Sequence, residues 1–366
     1  MHALKRFGTA FGGYKMMENY PVPECGPDDI ILEIKAAAIC GADMKHWGVD
    51  NGYDDTNITP DQQQSVRGHE FAGEIVKVGE NVKDWHIGQR VVSDNSAHVC
   101  GVCPACEQGD FLCCEHKVNL GLDNNTWGGD FSKYCKVPGE ILAIHKHAIW
   151  EIPEGIKYEE ACVLDPICNA YKAVAQQSHL IPGQDVVVFG TGPLGLFSVQ
   201  VAKLMGAVNI VMVGLDDDVK VRFGVAKELG ATHCVNGSKE DVVARCTEIC
   251  GRDNLGLVIE CSGANIALKQ AIEMTRPNAE IVRVGMGFKP LEFSINDITA
   301  WNKSIIGHMA YDSTSWRNCI RLLQSGQIKV QPMITHRLGL SQWQEGFDKM
   351  AKKEAIKVIF HYDYED

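Results

Sequence analysis

The chain has 366 residues, 45% hydrophobic and 22% charged, the balance of an ordinary globular protein, which excludes a disordered, collagen-like or coiled-coil chain. At about 150 residues per domain, this length gives two to three domains. Acidic residues (47) outnumber basic ones (35) for a formal net charge of -12, which argues against a general phosphate-backbone binder, so nucleic acid is not an expected partner. The apolar runs are strand-sized, as in Asp185-Val186-Val187-Val188-Phe189, and no membrane span is expected. Met1 to Tyr14 lacks the apolar core of a secretory signal, so the expected location is cytoplasmic. In a reducing compartment, the 15 cysteines point to metal binding or chemistry rather than to disulfides.

In chain order, short strands are predicted at Asp29 to Ala38, Glu70 to Val78, Gln89 to Ser93 and Phe131 to Val137, punctuated by glycines in the manner of a β-rich barrel. From Glu159 the period lengthens. Helical spacing over Glu159 to Gln177 leads to a strand at Asp185 to Phe189, a helix at Gly195 to Met205 and a strand at Asn209 to Val213. A helix at Val219 to Leu229, a strand at His233 to Val235, a helix at Lys239 to Cys250 and a strand at Leu257 to Glu260 follow. The series ends with a helix at Ala264 to Met274 and a strand at Glu280 to Val284. Such alternation predicts βαβ units and a parallel sheet.

Two groups of residues have metal-binding chemistry. Cys100, Cys103 and Cys106, followed by Cys114 with Cys113 beside it, supply four thiolates to one tetrahedral ion, a closed structural zinc site. Cys40 and the pair His69-Glu70 offer mixed sulfur, nitrogen and oxygen ligands, the type used by zinc with an open position. Asp165 places a carboxylate in an apolar helix start, as metal contact, as helix N-cap before Pro166, or as both.

The run Val188-Phe189-Gly190-Thr191-Gly192-Pro193-Leu194-Gly195 is a strand, a Gly-x-Gly-x-x-Gly turn and a helix start. Its glycines permit a tight turn and close approach of backbone amides to a pyrophosphate at the helix N-terminus. A dinucleotide is the expected ligand. Asp216, Asp217 and Asp218 would repel a 2′-phosphate, whereas Lys220 and Arg222 could attract one; NAD is expected and NADP is the alternative.

Together, Cys40, Gly68-His69-Glu70, the four cysteines, Asp165 and the glycine triplet resemble the zinc-containing medium-chain dehydrogenase/reductases, most of all the sorbitol (polyol) and threonine dehydrogenase branches. The resemblance spans nearly the whole chain and includes the loop with Gly285 and the segment Gly307 to Tyr311. It implies an α/β architecture. A GroES-like, β-rich catalytic domain would comprise 1–160 with 300–366, and a Rossmann domain with a doubly wound parallel sheet would comprise 161–299, with the catalytic zinc between them. By family position, Cys40, His69, Glu70 and Asp165 serve the catalytic zinc. Family spacing selects Cys114 as the fourth structural ligand. Pro193, Leu194, Asp217, Arg222 and the loop Val284-Gly285-Met286 match cofactor-contacting positions.

The resemblance implies that zinc polarises an alcohol while hydride passes from carbon to nicotinamide. The expected reaction converts a secondary alcohol (polyol, sugar alcohol or cyclitol) to a ketone with NAD. Alternatives are an L-threonine or small-diol dehydrogenase, an NADP-dependent ketose reductase and, from another class, a non-catalytic zinc-binding redox sensor or scaffold. A small-molecule alcohol or ketone is the expected partner, with a homotetramer or homodimer as the assembly. Two positions depart from the family. Ala42 stands where relatives carry a proton-relaying Ser or Thr, leaving Asp43, Lys45, His46 and a metal-bound water near Glu70 or Asp165 as relay candidates. Ala310 precedes Tyr311 where sorbitol dehydrogenases have Arg, which argues against sorbitol itself.

Overall fold

A computed structural model describes residues 1–6, 13–47, 66–123, 127–287 and 289–365, without the side chains of residues 45 and 46. The chain divides into two compact units, Met1–Asp165 with Asp312–Ile320 and Ile334–Asp366, and Pro166–Tyr311 with Arg321–Met333.

The first unit is built on the strand Ile30–Ala38, buried along most of its length. Its sheet runs in the order Ile334–Gly339, Lys357–His361, Ile30–Ala38, Glu70–Val78, Arg90–Ser93, Ile149–Glu151, with Tyr134–Val137 also on Ile30–Ala38. One strand thus takes three neighbours. Register shifts between Ile31 and Leu32 and between Ile34 and Ala36 mark irregularities in its ladder with Glu70–Val78, and such bulges bend and coil a strand. Its first half pairs with Tyr134–Val137 and its last residues, Ala37 and Ala38, with Phe360 and Ile359. The strands Ile334–Gly339 and Lys357–His361 therefore return to the sheet begun near residue 30.

At the centre of this unit's core lies Phe347, fully buried. The rings of Tyr14, Trp47, Phe131 and Trp343 stand 5.4, 5.9, 6.0 and 6.1 Å from it, distances at which aromatic pairs attract beyond simple burial.

The second unit carries six strands in the spatial order His233–Asn236, Ile210–Gly214, Asp185–Phe189, Leu255–Glu260, Glu280–Arg283, Ser304–Gly307, every neighbouring pair parallel. In chain order this is 3-2-1-4-5-6, the doubly wound Rossmann arrangement. The order reverses between Asp185–Phe189 and Leu255–Glu260, and ligands of such sheets bind outside the carboxyl ends of the strands at that point. The sixth strand carries this sheet past residue 299, to Gly307.

Three predicted helices differ in detail. The stretch from Glu159 to Gln177 is divided into helices Tyr158–Ala161 and Leu164–Tyr171 and a π-turn Lys172–Gln177. Pro166 has no N–H to donate to the carbonyl of Cys162, so a new helix begins there with Pro166 in its first turn. The helix expected from Val219 starts at Arg222, because Asp216–Asp218 forms a 3-10 turn in which Asp218 Oδ2 accepts from the Leu215 N–H at 2.8 Å. Asp241, whose Oδ1 accepts from the Ala244 N–H at 3.0 Å, caps Val242–Cys250 and sets its start later than Lys239.

Replacing Phe347 by Ala is expected to destabilise the first unit by about 3–5 kcal/mol, measured as the shift of its denaturant unfolding transition.

Candidate metal centres and cofactor-binding turn

The strands Ile30–Ala38 and Glu70–Val78 pair with Ala38 opposite Glu70. Cys40, just past the end of the first strand, is thereby brought level with His69, just before the start of the second. One ligand atom from each of Cys40, His69 and Glu70 lies within 4.8 Å of the others.

Each of these three side chains has a reason for its place. His69 and Glu70 are 4% and 1% exposed. Asp43, fully buried in the short helix Gly41–Trp47, accepts the Cys40 N–H at 2.9 Å and sets Oδ1 3.7 Å from His69 Nδ1. A carboxylate behind an imidazole of this kind orients metal-ligating histidines. Glu70 Oε2 is ion-paired with Lys357 Nζ, both 1% exposed, and the same ammonium donates to the Ile39 carbonyl at 3.0 Å. Burial works against charge on Lys357, but Glu70 and Cys40 outweigh it and hold its pKa above the ordinary lysine value. Desolvation, reinforced by Glu70, pushes the Cys40 thiol well above its usual range. A divalent cation reverses that balance and makes a coordinating thiol a thiolate. The buried His69 Nδ1 makes no hydrogen bond, and the donor set of sulfur, nitrogen and oxygen suits zinc.

Asp165 is not part of this three-residue group. It lies near enough for its charge to act on the Cys40 thiol, and its Oδ2 accepts from Asn95 Nδ2 at 3.1 Å. Asp43 faces inward, toward His69. The side chain of His46 lies outside the described residues.

The second cysteine group is compact. Cys100, Cys103, Cys106 and Cys114 each place Sγ within 4.8 Å of the others; Cys114 Sγ is 3.6 Å and Cys106 Sγ 4.0 Å from Cys100 Sγ. A tetrahedron with Zn–S bonds of about 2.3 Å has edges of about 3.8 Å. The N–H groups of Cys100 and His116 both donate to Cys114 Sγ at 3.4 Å. The Val102 amide leads in pulling Cys100 down to about 7, whereas desolvation leads in pushing Cys106 up to about 12. Four thiolates therefore need a cation among them. Cys113 is exposed and outside the group.

In the second unit the turn after Asp185–Phe189 has the form its sequence requires. Gly190 adopts φ 94°, and a Cβ on Gly195 would fall 1.8 Å from the Gly190 carbonyl oxygen, so helix and strand touch only because that side chain is absent. Gly192 is the N-cap and Pro193 the first residue of the helix Pro193–Leu204, and Leu194 lies in its first turn, where N–H groups face outward to an anion. Asp216 Oδ1 accepts from Asn236 Nδ2 at 2.6 Å and pairs with Lys239 at 3.1 Å. Arg222 pairs with Asp218 at 3.4 Å, and Asp217 is exposed. The N–H groups of Val284 and Gly285 donate to the Glu260 carbonyl, both at 2.8 Å, and Met286 is 60% exposed.

Lys357, Glu260 and Asn95 are missing from the sequence reading. Lys357 and Glu260 carry a signal, a single charge in an otherwise apolar strand. Glu260 Oε1 accepts from the N–H groups of Ser262 and Gly263 at 2.7 and 2.9 Å and so shapes the loop beside the reversal point. Asn95 carries none.

Residues 26–147 match the family described as alcohol dehydrogenase GroES-like domain, and residues 193–325 the family described as zinc-binding dehydrogenase. One chain that carries both a β-rich unit with two ligand groups and a Rossmann sheet has the parts of a zinc-type dehydrogenase. Of the relatives, the "uncharacterized zinc-type alcohol dehydrogenase-like protein YdjL" of Escherichia coli (strain K12) is 77% identical over 366 residues, 100% of both chains. Sorbitol dehydrogenase of Halalkalibacterium halodurans is 30% identical over 98% of both chains. Among solved structures, 2R,3R-butanediol dehydrogenase from Bacillus subtilis is similar at a TM-score of 0.83, with 29% identity over 99% of both chains. The chain belongs to the zinc-type medium-chain dehydrogenase family and is an oxidoreductase.

Cys114→Ser is expected to lower the zinc content of the purified protein by about one ion per chain, and Cys113→Ser to leave it unchanged; elemental analysis of both variants checks the assignment.

Proposed function

We propose that the protein oxidises a secondary hydroxyl of a polyol, sugar alcohol or cyclitol to a ketone with NAD, with Cys40, His69 and Glu70 as catalytic zinc ligands. Cys100, Cys103, Cys106 and Cys114 hold the structural zinc. The observation that carries the reading is the three-residue group: three protein ligands of mixed type leave one tetrahedral position for water or substrate. Zinc, when bound, supplies a Lewis acid, and the nicotinamide supplies the hydride acceptor.

The chain's own residues set the conditions for that chemistry. A Cys40 thiolate and a Glu70 carboxylate offset the two charges of the cation, and Lys357 adds one more positive charge, so the site favours the deprotonated form of a hydroxyl placed there. Asp43, its Oδ1 3.7 Å behind His69 Nδ1, orients the His69 ring by its charge, and Asp165 holds the water or hydroxyl that completes the centre. With Ala42 in place of a hydroxyl residue, the proton leaves by way of Asp165.

The preference for NAD is supported by Arg222, which is engaged with Asp218 rather than free to meet a 2′-phosphate, and by the acidic turn around it. NAD is expected to exceed NADP at least tenfold in kcat/KM. Sorbitol and 2,3-butanediol share a secondary hydroxyl beside another hydroxyl, and that vicinal pattern is the substrate feature carried over to this chain. Rates across polyols, inositols, diols and L-threonine test it; activity confined to L-threonine would replace the polyol reading.

Cys40→Ala is expected to lower kcat at least 1000-fold, roughly 4 kcal/mol of transition-state stabilisation, with one zinc lost and the melting temperature within a few degrees. A variant that keeps its turnover would sink the enzymatic reading in favour of a scaffold.

We further propose a homodimer or homotetramer joined through Ser304–Gly307. The outer edge of this strand has no strand neighbour among the described residues, and Trp301, Ile305 and Met309 are 51%, 38% and 42% exposed around it. Such an edge invites pairing with another chain. Ile305→Lys is expected to give monomers by light scattering.

A further inference from the structure

Asn95 is 4% exposed and has φ 58°, in the left-handed region that a non-glycine residue keeps only when its surroundings hold it there. Its N–H donates to Ser93 Oγ at 3.0 Å, and its carbonyl accepts from the Leu120 N–H at 2.7 Å. Two routes tie this residue to the four-cysteine segment. The strand Ser96–His98 runs from it toward Cys100 and pairs with Val118–Asn119 on the far side of Cys114, so the two strands close the segment at its base. On the other side, Asp94 accepts from the Ser96 N–H at 3.0 Å and stands 2.6 Å from His145 Nε2. The His145 ring lies 4.2 Å from that of Phe111, and the Cys114 N–H donates to the Phe111 carbonyl at 3.0 Å. From this clamped position the Asn95 amide reaches Asp165 Oδ2 at 3.1 Å.

We propose that Asn95 is a positioning residue of the catalytic centre: its amide holds the Asp165 carboxylate beside, and off, the Cys40, His69 and Glu70 group, and the four-cysteine lobe holds Asn95. The inference rests on the reading that Asp165 works at that group. The physical reason is competition. A carboxylate beside a divalent cation is drawn onto it as a fourth ligand, which would close the position that substrate needs. The hydrogen bond from Asn95 opposes that rotation, as outer partners do for metal-site carboxylates.

Asn95→Gly accepts the same backbone angle and removes only the amide. It is expected to lower kcat about tenfold while the less tightly held zinc passes to a chromogenic chelator several-fold more slowly, with the melting temperature within a few degrees. Asn95→Asp, which keeps the shape but offers no donor, is expected to lower kcat at least as far. Faster zinc release, as a loosened structure would give, overturns the inference, and so do kcat and release rates within twofold of the parent. Phe111→Leu removes the ring on His145 and is expected to lower kcat about threefold in the parent but not further in Asn95→Gly; additive losses overturn the link to the lobe. Asp165→Asn separates the two levels. Full turnover in that variant would bring down the role given to Asp165 in the functional reading and the present inference with it, whereas its loss alongside an unaffected Asn95→Gly would bring down only the present inference.

Discussion

Glu70 takes a carboxylate to 1% exposure, and the cation paired with it, Lys357, comes from a strand 287 residues further along. Removing one partner of such a pair leaves the other charge buried alone, at about 3–5 kcal/mol. That requirement fixes the topology of the first unit. Lys357 opens the strand Lys357–His361, and the pairing of that strand with Ala37 and Ala38 places the ammonium against the Ile39 carbonyl, one residue before Cys40. A single side chain thus ties the carbonyl before one ligand to the carboxylate of another. The raised pKa of Lys357 makes its charge part of the folded state at neutral pH: its stabilising contribution is complete below the unfolded lysine value and is lost only as pH rises through the higher folded one.

The two cysteine-bearing groups differ in how much chain must be ordered to make them. The four sulfurs from Cys100 to Cys114 converge through short loops, whose closure entropy is small, and the segment needs only its own turns and the strand pair at its base. Cys40, His69 and Glu70 converge only when two long strands pair in register and the chain's last strand docks beside them. On the proposed reading the local group also braces the distant one, since the base of the cysteine segment carries Asp94 and Asn95. On that reading a closed structural site has a reason to lie where it does.

What the sequence made legible follows the same division. Cysteine spacing, the glycine triplet and the alternation of buried strands with helices are local patterns, and they led to the four-cysteine cluster, the glycine turn and the parallel sheet, whereas Cys40, His69 and Glu70 were grouped by donor type and by resemblance. The misread helix boundaries also have local causes, the missing donor of Pro166 and the Asp218 cap on Leu215, but these depend on which hydrogen bond wins rather than on periodicity. The long-range pairs were not legible as pairs. Lys357 is visible as a charge in an apolar strand, yet nothing near it names Glu70. Asn95 looks like any loop residue until its backbone angle and its contact with Asp165 are known, and the place of Ser304–Gly307 depends on a pairing with Glu280–Arg283 that its own short sequence does not announce.

The cofactor end of the second unit is organised by different means, and this bears on where coenzyme choice resides. The glycine turn and the helix start at Pro193 are backbone features, and backbone groups meet a pyrophosphate in the same way whichever coenzyme carries it. Discrimination between the two coenzymes therefore falls to side chains at the end of Ile210–Gly214. There Asp218 engages the Leu215 N–H with one oxygen and Arg222 with the other, while Asp216 is taken up by Asn236 and Lys239. On the proposed reading, Asp217 at the exposed tip is the carboxylate that meets the adenosine ribose. On the same reading the Asp218–Arg222 pair acts by subtraction, withholding the guanidinium that a 2′-phosphate would need.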